Sequence, residues 1–227
     1  MPSRLRPTAP IAADAVLVGD PGRALMLAQE LLEEPKMSNH ARGLWGYSGR
    51  TAAGGRLTIQ ATGMGGPSAA LVLGDLAELG VRRAVRVGTC AALDPACEAG
   101  ELLIAIGARA EGGSAASLGV PVGETAPPDA GLTDRLRREL TGEGRGAGVA
   151  SFDAMPEEVE EAPAGIAAAD MQTVSVLARA RSLGVAAAAL LIVTEEIRSG
   201  ARLPDAALED IAKRAGRAAA TVLSGSS

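Results

Sequence analysis

The chain has 227 residues, 47% of them hydrophobic and 22% charged, with 29 glycines and only three aromatic side chains, Trp45, Tyr47 and Phe152. That length and apolar content suit one α/β domain with a core of Ala, Leu, Val and Ile. A formal charge of −5 and the scarcity of rings argue against a sequence-independent grip on nucleic acid, and the hydrophobicity argues against general disorder.

In chain order, short continuous apolar runs of the kind that form buried parallel strands alternate with stretches of helical period. A strand at Ala15–Val18 leads through Asp20-Pro21, an N-cap followed by proline at the first helical position, into a helix expected over Gly22–Glu33. A strand at Leu57–Ala61 precedes a helix over Ser68–Leu79, stopped by Gly80, with Val72, Leu76 and Leu79 on one face. Strands follow at Ala84–Val87, Leu102–Ile106 and Gly148–Ser151. Between them, Gly112–Gly131 and Thr141–Gly148 read as loops because of their Gly, Ser and Pro content.

A helix over Met171–Leu183 ends at Gly184, and a strand at Ala187–Val193 is followed by a last helix over Asp205–Leu223. That helix carries Leu208, Ile211, Ala212, Ala215, Ala219 and Val222 on one stripe. Its other face spaces Glu209–Lys213 and Asp210–Arg214 for i,i+4 pairing. The alternation predicts an α/β sandwich around a largely parallel sheet, with one domain over residues 1–227.

Cys90 and Cys97 have neither metal-ligand spacing nor a CxxC pattern, and His40 is the sole histidine, so no metal is expected. The first twenty residues hold no apolar stretch of signal-peptide length, about 7–15 residues. The apolar run Val185–Val193 is too short to span a bilayer. A soluble cytoplasmic protein without membrane association is the expectation.

Three stretches carry candidate chemistry. Val18-Gly19-Asp20-Pro21-Gly22-Arg23 is a strand running into a helix start flanked by glycines, with Arg23 in the first turn. Unpaired N–H groups and a guanidinium there suit an anion, although an ordinary strand-to-helix turn has the same shape. Arg86-Val87-Gly88-Thr89-Cys90 puts an arginine in a buried strand. That is costly unless an acid or an anionic ligand pairs with it, and the carboxyl end of such a strand is where ligands of open α/β sheets bind. Gly63-Met64-Gly65-Gly66-Pro67-Ser68 is a flexible turn into the second helix.

In order and spacing, VGDPGRA, NHARGLWGYSG, GMGGPS and RVGTCAA resemble the nucleoside phosphorylase family, which includes purine nucleoside and uridine phosphorylases. The likeness is strong over Ala15–Leu93, weak through 95–150, and returns at Ala169–Gln172 (ADMQ) and Val193–Arg198 (VTEEIR). It implies a three-layer α/β/α sandwich with a mixed central sheet. It also implies phosphorolysis of a nucleoside to free base and (deoxy)ribose 1-phosphate, with inorganic phosphate as co-substrate and no other cofactor.

On that resemblance Gly19, Arg23, Arg86 and Thr89 hold phosphate, joined by Arg42 from a neighbouring subunit of a homodimer or homohexamer. Met64 and Met171 match methionines that pack on the sugar, although each also suits plain core filling. The family's ribose-binding glutamate is here Gln172, a neutral amide, and its base-protonating aspartate is here Glu195, the candidate catalytic acid beside Arg86. The uridine-type Gln/Arg pair is missing from Ser151–Glu158, which leaves Phe152 or Met155 to face the base. The family's N-terminal histidine is also missing, with Arg4, Arg6 or His40 as substitutes. Two other readings stay open: a relative that binds phosphate or a nucleotide without turnover, and a phosphate-independent nucleosidase.

Overall fold

The computed structural model describes residues 4–155 and 163–225, so Pro156, Glu157 and Glu158 of the candidate base-facing segment lie outside the described residues. The strands are β1 (Asp14–Val18), β2 (Glu33–Asn39), β3 (Gly46–Arg50), β4 (Arg56–Ala61), β5 (Arg83–Ala92), β6 (Leu102–Ala110), β7 (Thr125–Ala126), β8 (Gly144–Ser151), β9 (Ala168–Asp170) and β10 (Ala186–Glu196). The helices are α1 (Pro21–Leu31), α2 (Gly65–Glu78), α3 (Gly113–Ala116), α4 (Ala130–Glu139), α5 (Thr173–Leu183) and α6 (Asp205–Ser224).

The ten strands among the described residues form one mixed sheet. Strand β1 pairs in parallel with β4 and β5, and β5 in parallel with β10, while β2, β3 and β4 form an antiparallel edge. Beyond β5 the sheet closes on itself, through β10, β6, β8 and β9 and back to β5.

Alternation along buried strands sends neighbouring side chains to opposite faces, and here both faces are covered. Val16 and Val18 of β1 join a core with α1, α4 and α6, whereas Ala15 and Leu17 join another with α2 and α5. These two cores make the three layers. A third cluster, including Cys90, Leu103, Ala105, Val149, Ala189 and Leu191, comes mainly from the five strands of the closed ring. Both cysteines are free and buried. Burial pushes the Cys90 thiol well above its ordinary pKa and raises that of Cys97 as well.

Several expectations about elements are corrected. The first helix stops at Leu31, because Leu32 is already extended and Glu33 opens β2 against β3. The stretch Gly112–Gly131 is not a plain loop but holds α3, β7 and the first turn of α4, which Asp129 caps by accepting the Leu132 N–H at 2.9 Å. Five of the eight residues of Thr141–Gly148 belong to β8, whose glycines lie beside β6. The helix expected from Met171 starts at Thr173. On α6 Lys213 pairs with Glu209 at 2.6 Å, but Arg214 turns to Glu143 at 3.5 Å instead of Asp210.

The low aromatic content permits close helix packing. Gly216 of α6 faces Leu27 of α1 so closely that a Cβ there would sit 2.5 Å from Leu27 Cδ2. Truncating Leu27 would therefore leave a hole that its neighbour has no side chain to fill. Leu27→Ala is expected to cost about 2–5 kcal/mol. Urea denaturation should show this as a lower midpoint at an unchanged slope.

Candidate active site

The carboxyl ends of β1, β5 and β10, together with the turns into α1, α2 and α5, surround a cavity of about 460 Å³. Nine of the residues singled out from sequence line it: Gly19, Arg23, Met64, Arg86, Thr89, Met155, Met171, Gln172 and Glu195. A larger hollow of about 590 Å³ along β2 and β3 contains none of these groups.

At the start of α1, Asp20 is extended and its carboxylate accepts the Arg23 N–H at 2.7 Å, with Pro21 following it. This cap already occupies the amide of Arg23, so what that residue offers the cavity is its guanidinium. Burial lowers the Arg23 pKa from its ordinary value; nearby Asp20 opposes the shift, and Arg86 adds to it through like-charge repulsion. An anion between the two arginines would relieve both effects.

Arg86 is 4% exposed and spends three of its five N–H donors around the turn into α5. Its Nη2 donates to Asp170 at 2.9 Å, Nη1 to the Gln172 carbonyl oxygen at 2.7 Å, and Nε to Thr173 Oγ1 at 3.3 Å. The acid that such a buried arginine requires is therefore Asp170, itself buried. Asp170 also accepts from the Thr173 N–H and hydroxyl and from Ser151 Oγ. Glycine at 88 makes the arrangement possible, since a Cβ there would lie 2.5 Å from Arg86 Nη2.

The Gln172 amide is equally committed. Its oxygen accepts from Arg86 and from Thr62 Oγ1 at 3.2 Å, and its nitrogen donates to the Gly63 carbonyl. Gly63 and Gly65 both adopt positive φ, 72° and 76°. The turn thus needs glycine on both sides of Met64, which is 78% exposed at the cavity rim.

Next to β5, the pairing of β10 slips between Val193 and Glu195. Such a bulge re-aims the side chains that follow it, and both Thr194 and Glu195 reach the cavity. Glu195 Oε1 accepts from Arg202 Nη2 at 2.9 Å. Two cations, hydroxyl groups, methionines and the carboxyl groups of Glu195, Asp20 and Asp170 therefore line a common space.

Two predicted residues lie elsewhere. Phe152 sits just past β8, where its N–H donates to the Asp170 carbonyl at 2.9 Å, and it is not part of the cavity lining. Arg42 lies in a separate cleft with Arg4, Arg6, Thr8 and His40. Reading the sequence missed Asp170, Thr62 and Arg202. Asp170 is the first residue after Ala169 in the ADMQ stretch and was within reach of that motif, whereas Thr62 and Arg202 carry no local signal.

The pattern of the Phosphorylase superfamily matches residues 14–226. A purine nucleoside phosphorylase of the DeoD type from Bacillus cereus is 31% identical over 205 residues, 84% of each chain. One from Oceanobacillus iheyensis is 40% identical over 102 residues, a match spanning 44% of this chain and only 43% of that protein. The fold is that of the uridine phosphorylase from Vibrio fischeri, solved with 6-hydroxy-1-naphthoic acid: TM-score 0.83 at 21% identity, covering 94% of this chain and 91% of that one. The chain belongs to the phosphorylase superfamily.

The Arg86–Asp170 pair yields a direct test. Asp170→Asn leaves a buried guanidinium without its counter-charge and is expected to lower stability by about 3–5 kcal/mol. Phosphate or sulfate should raise the Tm of this variant more than that of the parent protein, as read by thermal denaturation with and without the anion.

Proposed function

We propose that the protein is a nucleoside phosphorylase, cleaving a purine or pyrimidine nucleoside with inorganic phosphate. The observation that carries this reading is the convergence of Gly19, Arg23, Arg86, Thr89 and Glu195 on one cavity, in a chain of the phosphorylase superfamily. In the reaction a phosphate oxygen forms a bond to C1′ as the C1′–N bond breaks, and its electron pair leaves with the base, which takes up a proton. Arg23 and Arg86 place the phosphate dianion and offset its charge. Met64 and Met171 flank the sugar. Glu195, which accepts from Arg202 at 2.9 Å, takes the part of handling the base's proton. Arg42 completes the phosphate site from a neighbouring copy, so the active unit is a homodimer or a homohexamer.

Gln172 shapes the choice of sugar. Its amide is neutral and its oxygen already accepts from Arg86 and Thr62, so it adds no negative charge beside a developing oxocarbenium and offers no spare acceptor to a 2′-hydroxyl. A 2′-deoxy sugar loses least under that restriction.

Purified protein incubated with a panel of nucleosides and their 5′-substituted derivatives is expected to release base only when phosphate is present. Deoxyribosides should be favoured over ribosides. Arg23→Ala should lower kcat/KM for phosphate by about 10–100-fold, the usual range for a lost charge-assisted hydrogen bond. No release from any member of the panel would overturn the reading, and release at an equal rate without phosphate would make the protein a hydrolase instead.

A further inference from the structure

The cleft that holds Arg42 is a built site in its own right. It measures about 360 Å³ and is lined by Arg4, Arg6, Thr8, His40, Ala41 and Arg42. Buried acceptors fix the backbone around it. Asp75, itself buried, accepts the N–H groups of Arg4 and Leu5 at 2.6 and 2.8 Å. Fully buried Asn39 accepts the Arg6 N–H at 2.8 Å through Oδ1, while its Nδ2 donates to the Ala41 and Leu44 carbonyls. One asparagine thereby ties the N-terminal arm to the turn that carries Arg42. Arg42 itself is held at φ +60°, an uncommon conformation for a residue with a side chain.

The charge gathered there is unbalanced. Arg4 reaches Asp75 at 3.6 Å; among the described residues, Arg6, His40 and Arg42 have no acidic partner. In a chain of net charge −5, three guanidiniums and the sole imidazole share one hollow. Cations held together by a rigid scaffold repel one another until an anion enters, and guanidinium forks match phosphate oxygens in geometry. The Thr8 hydroxyl proton is already given to the Met37 carbonyl at 2.8 Å, so the recognition falls to the cations.

We propose that this cleft binds a phosphate monoester, and that the monoester is the 5′-phosphate of the nucleoside being cleaved. The substrate class is then a nucleoside 5′-monophosphate rather than an uncharged nucleoside. This rests on the reading above, in which Arg42 serves the cavity of a neighbouring copy; Arg6 goes with it because Asn39 ties the Arg6 N–H to the turn that carries Arg42. With Arg42 given to inorganic phosphate and Arg4 paired with Asp75, a bare 5′-hydroxyl, which needs one hydrogen-bond partner, gives no use for the joint charge of Arg6 and His40.

The test compares base release from a nucleoside and from its 5′-monophosphate, at fixed inorganic phosphate, in the parent protein, Arg6→Ala and Arg6→Lys. The expected result is at least tenfold higher kcat/KM for the monophosphate, a preference cut by about tenfold or more in Arg6→Ala and partly restored in Arg6→Lys. An uncharged nucleoside cleaved equally well, or a preference that survives Arg6→Ala, overturns the proposal while leaving phosphorolysis intact. If neither compound releases base, phosphorolysis itself fails, and the ring resonances of His40 decide the cleft by NMR titration. A saturable shift with the nucleoside monophosphate, weaker with inorganic phosphate and lost in Arg6→Ala, supports the subsite. No shift, or an equal response to inorganic phosphate, overturns it.

Discussion

The site depends on one buried contact, the Arg86 guanidinium held by Asp170. It joins the middle of β5 to the last residue of β9, 84 positions apart in sequence. Removing an arginine and a carboxylate from water is expensive, and the expense is offset only where further hydrogen bonds satisfy the pair. Here the surroundings supply them, and Arg86 keeps N–H donors beyond the three so engaged. Asp170 gathers Thr173 and Ser151, Gln172 joins Arg86 to Thr62 and Gly63, and Gly88 leaves room for the guanidinium beside its own strand. The cavity wall is thereby set before any ligand arrives, and such preorganisation is what an electrostatic site requires.

Against this neutralised pair, Arg23 is the cation still in need of company. Its guanidinium sits in a partly desolvated position, and Arg86 repels it. An anionic ligand therefore finds one arginine already anchored and another whose charge is only partly offset by Asp20. The small side chains of the core serve the same end. Ala and Gly at helix contacts, such as Gly216 against Leu27, let the layers approach closely, while exposed Met64 and Met155 leave deformable apolar surface at the rim.

Much of the fold was legible because buried strands of a parallel sheet write themselves as apolar runs. Val16 and Val18 go to one layer and Ala15 and Leu17 to the other, so every position of β1 between Ala15 and Val18 is apolar. The edge was not legible. Strand β2 reads Glu-Glu-Pro-Lys-Met-Ser-Asn and is largely exposed, so pairing with β3 rather than any pattern of its own makes it a strand. The glycine-rich segments misled for a related reason. Beside β6, glycines at 144, 146 and 148 are tolerated in β8 because the ladder supplies order that local propensity lacks.

The sequence by itself determined the layered α/β class, the capped start of α1, the glycine turns, and nine of the residues that meet in the cavity. Each of these rests on local chemistry: a proline after an N-cap, glycines where φ is positive, an arginine that a buried strand cannot leave unpaired. Only the tertiary structure decided which acid pairs with Arg86, that the Gln172 amide is hydrogen-bonded at both ends, that a bulge aims Glu195 inward, and that Arg4, Arg6, His40 and Arg42 share a cleft of their own. Those outcomes turn on distances between segments far apart along the chain, fixed by sheet closure and by buried hydrogen bonds, for which the order of residues carries no local sign.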